Sequence, residues 1–372
     1  MQKVQMGAPA QGTAQAQVRK NYNAIDIMRM VCAVLVMCVH VYPLTMFGQK
    51  ANFVLVHAVA RLAVPFFCTA SGFFFFQKIT LRPKTPQEKQ ENRHALFVFV
   101  RRVLALYVIW SAAYLPVRIA LAKINHQVFS WAAYWKEALY YTTYLHLWYF
   151  PALILGIVLT YALLRCVHPA VVLALSGALY GIGLFGDSYY GLLQSHPYLT
   201  LWTDKYLKIF HTTRNGLFFA FFFVALGAWF AKREIKMKKW ISGPLALISV
   251  GLLVFEACLL EQKKIAAEYN LYLSLIPVTV FLFAFLKEVT LKDRPCYRMF
   301  REMSVLIYCS HELVRRGLEV WFYYHPQLQS WYKIYNVSLV RFAVVLFGAL
   351  LISALILFLQ KKCRLRFLKW LY

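Results

Sequence analysis

The sequence predicts an all-α membrane protein that crosses the bilayer about ten times. Of its 372 residues, 61% are hydrophobic and only 15% are charged, whereas soluble domains average roughly 45–50% apolar and about 25% charged residues. Apolar runs of membrane length recur along the chain, with short basic clusters between them. This alternation is typical of a polytopic membrane protein rather than of a nucleic-acid-binding protein, although the formal net charge is +26.

Ten segments are long and apolar enough to be membrane spans. They cover residues 24–45, 53–77, 96–121, 146–164, 170–186, 215–231, 241–260, 271–287, 303–324 and 337–360. With both termini inside, the inner segments hold 26 of the 41 Lys and Arg residues and the outer connections hold 8. Because cytoplasmic loops are enriched in basic residues, we expect both termini in the cytoplasm. Residues 1–20 are predicted to be a disordered tail, and residues 21–372 one transmembrane domain in a cell membrane, typically a bacterial inner membrane.

The eight cysteines predict no cofactor chemistry. The sequence contains no Cys-x-x-Cys pair, and most of the cysteines lie inside predicted spans or on the inner side. Neither a disulfide framework nor a metal site is therefore expected.

The first span carries three polar side chains: Asp26, Arg29 and His40. Arg29 and His40 are eleven positions apart, so at about 100° per residue they lie within about 20° of the same helix face. Their axial separation is about 16 Å, roughly half of the hydrocarbon core. Two interpretations stay open. In the first, Asp26 and Arg29 form an ion pair or a headgroup anchor, and His40 is a hydrogen-bonded histidine of the core. In the second, the polar stripe has a function.

The second span brings further polar side chains to the same depth. His57 and Arg61 are one helical turn apart, at about the height of the first-span histidine. Arginine keeps its charge at this depth, so it needs a carboxylate, carbonyl groups or an anionic ligand. Pro65 then allows a kink. Ser71 and Gly72 allow either a ligand or a neighbouring helix to approach closely.

The ninth span is the most polar. It carries five ionisable residues: His311, Glu312, Arg315, Arg316 and Glu319. Their i,i+4 spacing allows mutual pairing; alternatively, this helix closes the cavity formed by the first two spans and contributes His311 and Arg315. Polar residues at the outer ends of other spans would then rim the mouth, unless they are solvated loop residues: His146, Asp187, Arg214 and Asn215.

Together these motifs resemble the acyltransferase-3 family of integral membrane proteins. The family's Arg-x10-His motif is met by Arg29 and His40, and an acid often stands where Asp26 does. Further matches are the stretch from Pro65 to Gly72, the pair Arg101 and Arg102, the opening of the fourth span at His146, and the stretch from Ser304 to His311. The resemblance covers nearly the whole chain.

Within this family, the chain looks most like the membrane part of vancomycin-resistance-type membrane serine racemases. That finer resemblance rests on three stretches: residues 146–153, 186–192 and 213–219. A basic segment at 361–369 follows the tenth span, and we expect no racemase domain in the chain.

The resemblance, with the helix geometry, implies transfer of an acyl group, foremost acetyl, from cytoplasmic acyl-CoA to a hydroxyl. The acceptor would be extracytoplasmic, such as a polysaccharide or peptidoglycan. His40 is the candidate base, Arg61 would stabilise negative charge or hold the acceptor, and Asp26 would position Arg29. The candidates for binding acyl-CoA are Arg29, Arg101, Arg102, Ser71 and Gly72. The candidates for binding the acceptor are His57, His146, Trp148, Arg214, His311 and Arg315.

Two other functions stay open. The same helices would suit a transporter of a small amino acid such as serine, because intramembrane arginine and histidine side chains can bind a carboxylate. Against transport, the sequence shows no inverted repeat and no paired broken helices. A non-catalytic membrane scaffold is the third interpretation, and charges at so many depths disfavour it.

Overall fold

A computed structural model of the protein describes residues 21–233, 235 and 237–372. Within these ranges the chain forms fourteen α-helices and no β-strand. The helices are α1 (Asn23–Val41), α2 (Gln49–Phe53), α3 (Ala63–Phe76), α4 (Pro86–Ile124), α5 (Trp131–Tyr140), α6 (Tyr149–Leu164), α7 (Pro169–Phe185), α8 (Pro197–Phe210), α9 (Phe221–Lys232), α10 (Lys239–Lys263), α11 (Leu275–Glu288), α12 (Pro295–Tyr324), α13 (Gln329–Tyr335) and α14 (Ser338–Lys362). The prediction of an all-α membrane protein is confirmed. The tail predicted at 1–20 lies outside the described residues.

Ten helical segments lie where the spans were predicted. They are α1, the α2–α3 segment, α4, α6, α7, α9, α10, α11, α12 and α14. Among the described residues, six segments are long and apolar enough to cross a membrane: Asn23–Val41, Gln49–Phe76, Pro86–Ile124, Trp131–Leu164, Lys239–Lys263 and Ser338–Lys362. Two shorter apolar helices, Pro169–Phe185 and Gly216–Lys232, accompany them. The other two predicted spans correspond to α11, which is short, and to α12, which is rich in charged residues.

The path from α2 to α3 is irregular where two candidate site residues lie. Val54–Ala58 is one π-helical turn and Val59–Leu62 is a 3-10 turn. Pro65 explains the break, because it has no N–H to donate and its ring would collide with the carbonyl group of Arg61. The predicted irregularity therefore lies on the N-terminal side of the proline, at the level of His57 and Arg61. Such π-helical turns occur frequently at functional sites.

Helices α3 and α9 cross with their backbones in contact. A Cβ atom at Gly72 would lie 2.5 Å from the carbonyl oxygen of Val224. A Cβ atom at Gly227 would overlap the carbonyl oxygen of Thr69 and lie 2.7 Å from the backbone nitrogen of Phe73. Small residues at a helix crossing are common in membrane proteins because they let backbones approach. Of the two interpretations of Gly72, the structure supports the helix crossing.

Three further helices lie in the predicted outer connections. These are α5, α8 and α13, and each exposes aromatic side chains: Trp131, Trp135, Tyr198, Trp202 and Trp331. Tryptophan and tyrosine are enriched where a membrane meets water. The three helices therefore suit the outer membrane interface, above the bundle that holds the site.

Helix α1 lies inside the bundle. It packs against α3 on one side and α12 on the other, with α11 and α14 also in contact. At its start, the side-chain amide of Asn23 donates hydrogen bonds to the carbonyl oxygen of Leu291 (3.3 Å) and to Asp293 (2.6 Å). This position turns the polar face of α1 toward the protein interior.

Candidate active site

An outer cavity of about 100 Å³ lies at the end of α1 that carries His40. Its polar lining comes from six different parts of the chain: His40, Arg61, His146, Arg214, Asn270 and Tyr308. Trp148 lines it as well, with apolar residues of α1 and of the segment preceding α3. The structure thus brings together five of the predicted site residues, which stand far apart in the sequence.

Three histidine rings meet beside this cavity. The ring centroids of His40 and His311 are 5.4 Å apart, those of His40 and His146 are 6.0 Å apart, and those of His146 and His311 are 5.0 Å apart. His311 donates through Nδ1 to the carbonyl oxygen of Ile307 (3.0 Å), because a carbonyl can only accept. Within the described part of the chain, its Nε2 and both ring nitrogens of His146 are buried without a hydrogen-bond partner. Among the described residues, no group of three or more His, Cys, Asp or Glu side chains is arranged to hold a metal ion.

Two arginines are joined by one asparagine. The Oδ1 atom of Asn270 accepts hydrogen bonds from Nη1 of Arg61 (2.6 Å) and from Nη1 of Arg214 (2.7 Å). The amide nitrogen of the same side chain donates to Asp187 (2.9 Å) and to Glu268 (2.5 Å). These two acceptors fix the amide so that its oxygen faces both guanidinium groups. Asp187, one of the predicted rim residues, is fully buried and lies behind Asn270.

The surroundings hold both arginines in place. Arg214 lies with its guanidinium carbon 4.9 Å from the ring centroid of Trp148, a geometry that favours a cation. Arg61 approaches Nδ1 of His57 at 3.2 Å. His57 stacks on Phe53 with 5.1 Å between centroids, so it supports Arg61 from beside the cavity rather than lining it.

An inner cavity of about 270 Å³ lies at the other end of α1. Three basic side chains line it: Arg29, Arg102 and Arg301. Its other polar lining residues are Ser71, Tyr149, Ser304, Tyr308 and Tyr372. The Ser71 hydroxyl and the Tyr149 hydroxyl are 3.3 Å apart. Arg102 donates to the backbone carbonyl oxygen of Tyr372 (3.0 Å).

Asp26 contacts two of the arginines that line the inner cavity. Its carboxylate lies 3.2 Å from Arg29 and 3.7 Å from Arg301. His40 is fourteen positions further along α1, about 21 Å at a rise of about 1.5 Å per residue. Asp26 therefore orients Arg29 and touches no group of the outer cavity, which makes it a positioning residue.

Tyr308 lines both cavities. It comes from α12, and its hydroxyl donates a hydrogen bond to the backbone carbonyl oxygen of His146. Arg29 and His40 lie on opposite sides of this tyrosine although they belong to the same face of one helix. The polar stripe predicted on α1 thus runs between two cavities that share Tyr308 in their linings.

Some predicted site residues lie outside both cavities. Arg101 is exposed and lies over the ring of Trp370 at 5.6 Å, because adjacent residues of a helix point about 100° apart and Arg102 takes the inward direction. Arg315 is held by Glu312 (2.5 and 2.8 Å) and Glu319 (2.8 Å), so the pairing interpretation applies to it. Gly72 lies at the crossing of α3 and α9, where it contacts the backbone of Val224.

The sequence analysis did not propose several of the lining residues as site residues. Asn270, Arg301 and Tyr308 were not singled out there. Asn270 opens the eighth span in the way that His146 opens the fourth and Arg214 precedes the sixth. Asn270, His146 and Arg214 thus share a position at the outer end of a span, but only the contact of Asn270 with Arg61 shows that it belongs to the site.

The apolar helices and the two cavities define an integral membrane protein with candidate binding sites, and the comparisons with known proteins give its family. The chain belongs to the acyltransferase-3 family, whose model, described as an acyltransferase domain, matches residues 22–358. The family resemblance seen in the sequence is confirmed.

Three curated relatives are similar to the chain. An amino-acid racemase of Enterococcus faecalis is 30% identical over 278 residues, which are 74% of this chain and 37% of the relative. A serine/alanine racemase of Enterococcus gallinarum is 30% identical over 344 residues, 91% of this chain and 46% of the relative. A second amino-acid racemase of Enterococcus faecalis is 26% identical over 344 residues, 92% of this chain and 47% of the relative. The chain thus spans less than half the length of these relatives, and no solved structure matches it.

Proposed function

We propose that the protein transfers an acyl group, foremost acetyl, from cytoplasmic acyl-CoA to a hydroxyl group of an extracytoplasmic acceptor. The observation that carries this proposal is the pair of cavities that share Tyr308. Three arginines line one cavity, two histidines and two arginines line the other, and the two lie toward opposite ends of α1, so donor and acceptor can approach from opposite sides. A cell-surface polysaccharide or peptidoglycan would be such an acceptor, and a bacterial inner membrane would be the location.

The inner cavity suits the phosphates of acyl-CoA. Arginine binds phosphate through charge-assisted and often bidentate hydrogen bonds. Asp26 is the carboxylate that contacts Arg29 and Arg301, and Arg102 is engaged with a backbone carbonyl of Tyr372. A phosphate group arriving from the cytoplasm would displace this carbonyl and find three basic side chains.

The outer cavity suits the acceptor and the chemical step. His40 would take the proton of the acceptor hydroxyl, since imidazole exchanges protons near neutral pH. The oxygen then attacks the thioester carbonyl, the carbon–oxygen bond forms and the carbon–sulfur bond breaks. The proton held by His40 passes to the departing thiolate, which leaves as free CoA. Arg61 would either hold the acceptor or stabilise the oxyanion that develops on the carbonyl.

A transfer assay with the reconstituted protein tests this function. The full chain is placed in lipid vesicles, with labelled acetyl-CoA on one side and cell-wall glycan, glucuronate or glycerate on the other. We expect labelled ester on the acceptor together with an equal amount of free CoA, both dependent on the protein. Hydrolysis of acetyl-CoA without ester, or no turnover with any of these acceptors, would argue against the proposal.

Transport of a small amino acid is the second candidate. It is favoured by the arginine pair in the outer cavity, which can bind a carboxylate, and by relatives whose names refer to amino-acid racemases. Uptake of radiolabelled serine into the same vesicles separates the two candidates. A transporter accumulates serine and leaves acetyl-CoA intact, whereas the enzyme consumes the thioester.

A further inference from the structure

The outer cavity contains two positive charges joined by a neutral group. Arg61 and Arg214 both donate to the single Oδ1 atom of Asn270. A carbonyl oxygen can bridge two guanidinium groups, but unlike a carboxylate it does not cancel their charge. Two like charges held this close repel each other, and a nearby anion offsets that repulsion. The bridge therefore keeps together two cations that lack a counterion in contact.

Three other arginines of the described chain have their positive charge neutralised by a carboxylate in direct contact. Arg29 lies 3.2 Å from Asp26, Arg118 lies 2.7 Å from Glu137, and Arg315 lies 2.5 Å from Glu312. Within residues 21–233, 235 and 237–372, no carboxylate oxygen comes within 4.0 Å of the guanidinium nitrogens of Arg61 or Arg214. Arg61 and Arg214 therefore differ from these three arginines, each of which has a carboxylate oxygen within 3.2 Å.

The nearby carboxylates of Asp187 and Glu268 contact the bridging Asn270 and not the two arginines. Asp187 accepts four hydrogen bonds, from the backbone and side-chain nitrogens of Asn270, from the backbone nitrogen of Leu271 and from the Ser188 hydroxyl. Glu268 is exposed and accepts from the same asparagine amide. Both carboxylates are thus one residue removed from the guanidinium groups. They orient the bridging amide, which makes Asn270 the residue that positions the pair.

The arginines also keep unused donors. The Nε atom of Arg61 and the Nε atom of Arg214 are buried and have no hydrogen-bond partner. A buried donor without a partner is unfavourable, so a ligand that accepts from both donors would gain binding free energy from them. A carboxylate offers two oxygens for two such donors, together with the missing negative charge.

We propose that Arg61 and Arg214 bind a carboxylate of the acceptor, so that the acceptor is a hydroxy acid with its hydroxyl presented to His40. This inference rests on the proposed acyl transfer and names the substrate class that the site accepts. The cavity volume of about 100 Å³ is well below the roughly 300–1,000 Å³ of sites that enclose a drug-sized ligand. Only the end of the acceptor that bears the hydroxyl and the carboxylate enters the cavity.

A pair of matched probes tests the inference. D-glycerate and D-glyceramide have the same hydroxyl groups and nearly the same shape, and they differ in the charge of one group. Binding to the full chain in lipid nanodiscs is measured by titration calorimetry. We expect glycerate to bind about tenfold or more tightly than glyceramide, because a charge-assisted hydrogen bond changes affinity by roughly that factor.

Three variants assign the preference to the arginine pair. Arg214→Gln should remove the preference for glycerate, and Arg214→Lys should keep part of it, which shows that the loss is one of charge and not of folding. Arg118→Gln is the matched control, since Arg118 is an outer arginine already paired with Glu137, and it should keep the full preference. Equal affinity for both probes, binding of neither probe, or an unchanged preference in Arg214→Gln overturns the inference.

The acetyl-transfer assay separates this inference from the proposed function. If the wild type and Arg214→Gln transfer acetyl groups to neutral sugars equally well, the enzyme function is supported and the assignment of a hydroxy acid as acceptor is wrong. Selective binding of glycerate without transfer to any acceptor would keep the carboxylate site and remove the enzyme function.

Discussion

At the scale of single residues, the unusual feature is the number of buried polar atoms left without partners. Both ring nitrogens of His146, Nε2 of His311 and the Nε atoms of two arginines all lie next to the outer cavity. Proteins satisfy most of their buried polar groups, and inside a membrane such groups are retained mainly for function. Their concentration around His40 indicates that a polar ligand completes the site.

Replacing His40 tests its role as the base. His40→Ala should lower acetyl transfer by at least about a hundredfold, because general-base catalysis typically contributes 10²–10⁴-fold. The variant should insert and elute as the wild type does and bind acetyl-CoA equally well, since His40 does not line the inner cavity. His325→Ala is the matched control, because His325 caps the end of α12 and lines neither cavity. Full transfer activity in His40→Ala would remove the assignment.

The adjacent pair Arg101 and Arg102 offers a comparison within one turn of α4. Only Arg102 lines the inner cavity, while Arg101 lies outside over Trp370. Arg102→Gln should raise the KM for acetyl-CoA by about tenfold, the usual loss for one charge-assisted contact, with little effect on the KM for the acceptor. Arg101→Gln should change either KM by less than about twofold. Equal effects of the two substitutions would contradict the position assigned to the donor.

At the scale of helices, the site is built where regular structure breaks. Arg61 lies in the 3-10 turn that follows the π-helical turn Val54–Ala58, and Arg214 precedes a second π-helical turn at Gly216–Ala220. The break near Arg61 could be predicted from Pro65, since proline disturbs the turn before it. Nothing in the sequence marks the second break as strongly. Its cap is Asn215, whose side chain accepts from Leu217 and Phe218.

The crossing of α3 and α9 brings together the helices that follow these two breaks. Gly227→Ala should lower the stability of the protein by about 1–3 kcal/mol, the usual cost of overpacking, because the added methyl group meets backbone atoms of Thr69 and Phe73 that cannot rotate away. The midpoint of thermal unfolding, followed by labelling of the buried cysteines, measures the effect. Gly251→Ala is the control, since no atom lies within 4 Å of the added group. Equal midpoints for the two variants would show that the crossing tolerates separation.

At the scale of the whole molecule, the site residues that can be predicted from the sequence are those that stand out within their own segment of the chain. Charges inside apolar spans stand out, so His40, Arg61 and Arg214 could be found by inspection. Asn270 could not, because its importance comes from a contact with Arg61, 209 positions away. The separation of Arg101 from Arg102 depends on how α4 is rotated against its neighbours. Tertiary packing alone decides such questions, and no local pattern records them.

The two cavities have a direction only if the chain has the predicted orientation, with basic connections inside. The exposed cysteines report on it directly: Cys166 lies between α6 and α7 and Cys363 follows α14, both on the predicted inner side. A membrane-impermeant maleimide should therefore label neither in intact cells and both after permeabilisation. Ser195→Cys, in the exposed turn before α8, should be labelled in intact cells. Labelling of Cys166 or Cys363 from outside would place the arginine-rich cavity on the external face, where acyl-CoA is absent, and acyl transfer in the proposed direction would fail.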